Sequence, residues 1–310
     1  MQRKTLAILA TLLALLLSAC GSSNPLGGGE ISGDLKSITV GSADFPESKI
    51  IAEIYAQALE ANDFQIRRQF GIGSRETYVP AVQDHSIDLI PEYTGNLLQY
   101  LDAEATATTP DEVLIALFKA LPGDLSILYP SPAEDKDTLA VTAETAQRWN
   151  LKTVADLAAH SAEVKVGAPS EFQTRQTGLV GLKSRYGLDI APVNFVAISD
   201  GGGPATVQAL NGGAVTAANI FSTSPAIEQY HLVPLEDPKN VFLAANVVPL
   251  VASQKMSKEL KTVLDAVSAK LTTEALIELN TAVEGNAGID PDEAAEKWIR
   301  DNGFDKPVTK

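Results

Sequence analysis

Short apolar runs of strand character alternate along this chain with longer stretches whose apolar residues recur at helical spacing. Residues 38–42 read as a buried strand. Over 46–61, Ile50, Ile51, Ile54, Tyr55, Ala58 and Leu59 then fall on one stripe of a helix. Pro46 suits the first helical position, where a missing N–H costs nothing. The same reading places strands at 65–70, 87–91, 139–141, 164–168, 193–198, 216–221 and 232–235. Helices are expected at 75–84, at 110–120 and from a Thr142 cap to Trp149. Another begins after residue 168 and stops at Gly187, a common C-terminal residue. The GGGP run at 201–204 opens one more, and helices at 257–270, 273–283 and 292–302 end the chain. Such alternation predicts an α/β fold with parallel sheets covered on both faces. If the chain forms two lobes joined by two crossovers, a late segment must return to the first lobe. The apolar run at 241–252 is the candidate for that return.

The first twenty residues carry a different pattern. Arg3 and Lys4 precede an apolar run at 6–17, and Leu17-Ser18-Ala19-Cys20 closes it. A positive start, a short apolar helix and small residues read as a secretory signal peptide over 1–19. The run is shorter than the roughly 20 apolar residues that a spanning helix needs. Leu-Ser-Ala-Cys resembles the bacterial lipobox, which implies cleavage before Cys20, acylation of its thiol, and an extracytoplasmic protein anchored to the cell membrane by lipid. Cys20 is the only cysteine, so no intrachain disulfide can form. Residues 20–36 are rich in Gly and Ser and read as a flexible lipidated tether. The expected lobes are 37–138 plus 243–310 for the first and 139–242 for the second.

Charge narrows the partners without naming a ligand. A formal net charge of −15 and a pI near 4.6 argue against nucleic acid and anionic lipid surfaces, which repel an acidic protein. An enzyme lacks its constellation here. His85, His160 and His231 are isolated and have no metal-ligand spacing. GGGP at 201–204 could seat an anion on free N–H groups, but it lacks the Lys and Ser/Thr of a phosphate loop, and a helix-terminal turn explains it. No catalytic residue, cofactor or metal is expected.

From Ile38 the residues run ITVGSADFPESKIIAEIYAQALEAN, and from Ile87 they run IDLIPEYTGNLLQYL. These strings resemble the substrate-binding proteins of osmoprotectant ABC transporters, whose usual sequences are Gly-Ser-x-x-Phe-Thr-Glu and Pro-Glu-Tyr-Thr-Gly-Thr. NLKTVADL at 150–157, VPLEDPKNVF at 233–242 and LIELNTAVE at 276–284 extend the likeness over most of the chain. The resemblance implies a two-lobed fold of the periplasmic-binding-protein type (type II, the Venus flytrap) with two hinge crossovers. It further implies a monomer without enzymatic activity that closes on a small molecule such as glycine betaine or choline. Its partners would be a membrane permease and a cytoplasmic ATPase. A sensing or scavenging lipoprotein would need the same crevice.

The family holds its ligand in a box of tyrosines drawn from both lobes. A quaternary ammonium has no N–H to donate, whereas aromatic faces attract it by about 0.5–2 kcal/mol each. By the resemblance, Tyr93 is the first of these rings, and Thr94 supplies a hydroxyl for the ligand's polar end. Ser48 stands where the family usually has Gln or Asp. Asp137 falls at the second tyrosine, Val207 at the third and Phe221 at the fourth. Asp137 would hold a cation by charge or accept hydroxyl donors from a neutral ligand, and Val207 would leave room for a broader molecule. So depleted a box predicts weak or absent glycine betaine binding. Phe45 starts a helix near the crevice and either lines it or staples the helix. Arg175 either bridges the lobes or pairs with a carboxylate.

Overall fold

The computed structural model describes residues 35–285 and 288–308. The expected signal peptide, Cys20 and most of the tether lie outside the described residues.

Two five-stranded sheets organise the chain. The first half supplies β1 (Ser37–Gly41), α1 (Pro46–Glu60), β2 (Gln65–Gln69), α2 (Arg75–Gln83), β3 (Leu89–Tyr93), α3 (Thr94–Leu101), α4 (Pro110–Ala120) and β4 (Leu125–Ile127). The second lobe is built from β5 (Asp137–Thr142), α5 (Ala143–Trp149), α6 (Val154–Ala158), β6 (Val166–Ala168), α7 (Leu179–Tyr186), β7 (Phe195–Ala197), α8 (Pro204–Asn211), β8 (Ala217–Phe221), α9 (Ala226–Gln229) and β9 (Leu232–Pro234). The chain then returns through β10 (Val247–Ala252) and ends in α10 (Lys258–Ser268), α11 (Thr273–Glu284) and α12 (Pro291–Asp301). Strand order is β2-β1-β3-β10-β4 in one sheet and β7-β6-β8-β5-β9 in the other.

The sheets are mixed, where alternation of strand and helix predicts parallel ones. β1 runs parallel to β2 and β3, while β10 runs antiparallel to β3 and β4. β6 runs parallel to β7 and β8, while β5 runs antiparallel to β8 and β9. Topology requires this. β3 ends at the junction of the lobes, so a strand that enters there must run away from it. Val247 accordingly sits beside Tyr93, and Asp137 beside Phe221.

Helix α1 is buried nearly all round, beyond its apolar stripe: Ala52 and Ala56 are as inaccessible as Ile50, Ile54 and Leu59. One side meets the sheet, and α10, α11 and α12 pack onto the rest, with Trp298 and Ile299 of α12 in the same core. Of the apolar run at 241–252, only Val247–Ala252 forms a strand. Its earlier part is a crossover pressed onto α3, where a Cβ on Gly95 would lie 2.5 Å from the Ala244 carbonyl oxygen. Strand β3 starts two residues later than the periodicity implies, and α3 follows it at Thr94 without a loop. Side-chain caps fix several helix starts, among them Thr109 in a capping box with Glu112, Thr142 and Ser257. Gly187 ends α7 at φ +74°, the left-handed residue expected there.

Candidate functional site

A cavity of about 280 Å³ lies where the carboxyl ends of β3 and β8 face each other. That is where ligand crevices open in α/β sheets. Five aromatic side chains line it: Phe45, Tyr78 and Tyr93 from the first lobe, Phe172 and Phe221 from the second. Phe45, the residue before α1, links the two sets. Its ring centroid is 6.2 Å from that of Tyr93 and 5.2 Å from that of Phe221. Gly201 makes this approach possible: at φ +61°, an added Cβ would stand 2.6 Å from Phe45 Cβ.

Both guanidinium groups on the wall are already engaged. Arg75 is buried and donates Nε and Nη2 to Glu92 at 2.6 and 2.9 Å, while the Tyr78 hydroxyl donates to the same carboxylate at 2.8 Å. Burial opposes the charge on Arg75, but the Glu92 carboxylate outweighs it and holds the guanidinium above its ordinary range. Arg175 reaches across from the second lobe to Glu76 at the start of α2, at 2.9 and 2.7 Å. Partial burial opposes ionisation of Glu76, yet the bonds and charge of Arg175 hold its carboxyl down at about 2.

The carboxylates on the wall are differently placed. Asp137 accepts from Asn96 of α3 at 2.7 Å and from Asn219 of β8 at 2.9 Å, so it too joins the lobes. Asp135 is buried and accepts from the Thr223 N–H at 3.1 Å and from Ser222 at 3.3 Å. Behind it, Glu47 accepts from the Tyr93 hydroxyl at 2.7 Å and from Asn280 of α11 at 2.7 Å. The Thr223 hydroxyl lies 2.5 Å from Glu47 Oε2 and 2.9 Å from Asp135 Oδ1. Burial first, and then the charge of Glu47, push the Asp135 carboxyl well above the usual carboxylate range. Among the described residues, no Lys or Arg forms an ion pair with Glu47, Asp135 or Asp137.

Phe45, Tyr93, Asp137 and Phe221 thus meet at the cavity; Ser48, Thr94 and Val207 do not line it. Ser48 is fully buried, and its hydroxyl accepts from the Ala43 N–H at 2.9 Å, which shapes the loop before α1. Thr94 bonds backbone instead: it donates to the Ala244 carbonyl at 3.3 Å and accepts from the Asn246 N–H at 3.1 Å. Val207 packs into the second lobe's core with Ala140, Leu210 and Ile220, so it does not border the cavity. Arg175 fills both roles proposed for it. Sequence reasoning missed Tyr78, Phe172 and Arg75. Arg75 and Tyr78 stand three apart on α2, a spacing that puts them on one helix face, and this was the available signal.

Two α/β lobes with an aromatic and charged cavity at their junction define a solute-binding protein of the closing, two-lobed class. Residues 36–301 match the family described as the substrate binding domain of ABC-type glycine betaine transport systems, and the chain belongs to that family. It is 25% identical over 280 residues to the glycine betaine-binding protein YehZ of Escherichia coli, covering 87% of this chain and 92% of that one. It is 24% identical over 314 residues to the carnitine transport binding protein OpuCC of Listeria monocytogenes, covering 98% of each. The match to the ergothioneine transport permease/ergothioneine binding protein of Helicobacter pylori is 26% over 255 residues, covering 80% of this chain and 45% of that longer one. The crystal structure of a glycine betaine/carnitine/choline ABC transporter shares the fold, with a TM-score of 0.66 at 24% identity over 87% of this chain and all of that one. So does a choline-bound choline binding protein, with a TM-score of 0.65 at 16% identity over 87% of this chain and 89% of that one.

The protein is therefore the substrate-binding component of an ABC importer of the osmoprotectant type. It works outside the cytoplasm with an ABC permease, and it binds a small molecule rather than converting one. No described helix is long and apolar enough to cross a membrane.

Proposed function

We propose that this protein captures a small organic cation of the quaternary ammonium class between its lobes and presents it to the permease. It does so as a monomer held at the membrane by a lipid on Cys20. One observation carries the ligand reading. Both cavity guanidinium groups are held by bidentate carboxylates, while among the described residues no Lys or Arg forms an ion pair with Asp135 or Asp137. The space between Phe45, Tyr93 and Phe221 is therefore acidic and faced by rings, and both properties attract an ammonium. A carboxylate on the ligand meets Asp137 as a repulsion. A choline-like cation is thus favoured over zwitterionic glycine betaine. The cavity volume of about 280 Å³ lies just below the range of ordinary ligand sites, about 300–1,000 Å³, which fits a compact solute.

The hinge of this reading is the place where the crossovers touch. Glu134 and Asn246 pair as an isolated antiparallel bridge, and the Asp135 N–H donates to the Ala245 carbonyl at 3.0 Å. That favours lobe limits close to residues 135 and 245, a few residues from the sequence-based boundaries. The test is calorimetric titration with choline chloride before and after Asp137→Asn. The expected result is measurable choline binding and an affinity at least about tenfold lower in the variant, roughly 1.4 kcal/mol. Equal affinities would remove Asp137 from cation recognition.

A further inference from the structure

The contact between Glu47, Thr223 and Asp135 needs a proton beyond those the hydroxyl can give. The Thr223 Oγ carries one O–H and lies within bonding distance of a carboxylate oxygen on each side. Its proton points at one of them. The other oxygen is then left against a lone pair at less than 3 Å unless it carries a proton of its own. Both carboxyls are almost inaccessible, with Glu47 3% and Asp135 4% exposed, and two like charges so close in a dry setting do not both ionise.

We propose that Glu47 and Asp135 share one proton in the ligand-free protein, and that capture of an organic cation in the adjoining cavity expels it to solvent. This rests on the cation reading above. The exchange is balanced: one positive charge enters the wall of rings and carboxylates, and one leaves as H⁺. Asp135 is the member of the pair that lines the cavity, so it takes up the negative charge facing the ligand. Burial and the charge of Glu47 raise the Asp135 carboxyl well above its ordinary range, the direction that favours a proton there.

Among the described residues, the charged and titratable surroundings of the pair supply no basic group in ion-pair contact with it. Tyr93 of β3 donates its hydroxyl to Glu47. On its own segment, Asp135 has the carboxylates Asp137 and Glu134 and the half-buried Lys136, which among the described residues forms no ion pair with it. The loop after β8 offers only Ser222 and Thr223. From α11 come the neutral Asn280 and, one turn on, Glu284, whose carboxyl is pushed up to about 7 by burial and by Glu47 and Asp200. Arg75 and Arg175 across the cavity are held by Glu92 and Glu76.

Two measurements decide it. Infrared spectra of the ligand-free protein at pH 7 should show a protonated-carboxyl band that Asp135→Asn removes; Glu47→Gln serves as the second variant if the first does not fold. Calorimetry with choline chloride in two buffers of different ionisation enthalpy should show about one proton released per choline bound. Affinity should then fall about tenfold per pH unit below the range in which the free pair titrates. An identical carboxyl spectrum in wild type and both variants overturns the proposal, as does choline binding with no proton released. If choline and related cations do not bind at all, the cation reading fails by itself, and the infrared band still decides whether the shared proton exists.

Discussion

Tyr93 is fixed at both ends of its role. Its hydroxyl is committed to Glu47, so its ring face, next to Phe45, is what remains for a ligand. Tyr93→Ala should therefore abolish ligand binding in a calorimetric titration, while unchanged affinity would exclude Tyr93 from the site. Val207 should behave in the opposite way. It belongs to the second lobe's core, so Val207→Ala should lower stability by about 1–3 kcal/mol and leave ligand affinity unaltered. A thermal melt beside a titration separates the two, and an affinity loss without a stability loss would put Val207 back at the cavity. At this scale the sequence spoke unevenly. Tyr93, Asp137 and Phe221 sit at strand ends that open on the cleft, and it was the family resemblance that pointed to them. Ser48, Thr94 and Val207 lie at or near equally suggestive strings, but their side chains turn inward to backbone or core. Only the packed helices decide that direction, and Tyr78 and Phe172 were hidden for the same reason.

Helices and strands set the second scale, where α2 meets the segment after β6. Arg175 and Glu76 form a bidentate pair between the lobes at the cavity wall. Glu76 ionises far below its ordinary 4.5, at about 2, because of that partner. Its hold across the lobes is therefore fully present above about 4.5 and is lost as pH falls towards 2. Glu76→Gln should shift the ligand-free protein towards a more open form at neutral pH. Small-angle scattering would register a larger radius of gyration, and an unchanged radius would mean that the pair does not act as a latch. The antiparallel course of β5 and β10 was not legible in the hydrophobic pattern, since a buried strand reads the same in either direction. It follows from where the chain crosses between lobes, which is a property of topology. Helix α1 was legible because its apolar positions repeat, although nothing in that repeat announced that three C-terminal helices would cover its other side. Trp298→Ala on α12 should cost about 3–5 kcal/mol for that reason, read as a fall in the unfolding midpoint without loss of the cavity.

Over the whole molecule, the two lobes meet through groups whose partners lie on both sides. Asp137 takes an amide from each lobe, Arg175 takes Glu76, and Thr223 lies between Asp135 and Glu47. Separation of the lobes exposes these polar groups to water, and closure around a solute removes them from it. A ligand that binds only the closed arrangement shifts the population towards it. Acidic groups dominate what the closed cavity leaves unpaired, so the sign of the ligand's charge should matter more than its methyl count. The direct measurement is a side-by-side calorimetric titration of the purified protein with choline and with glycine betaine. Choline should bind at least about tenfold more tightly, a difference of roughly 1.4 kcal/mol. Tighter binding of glycine betaine would contradict the acidic, cation-selective cavity on which the account depends.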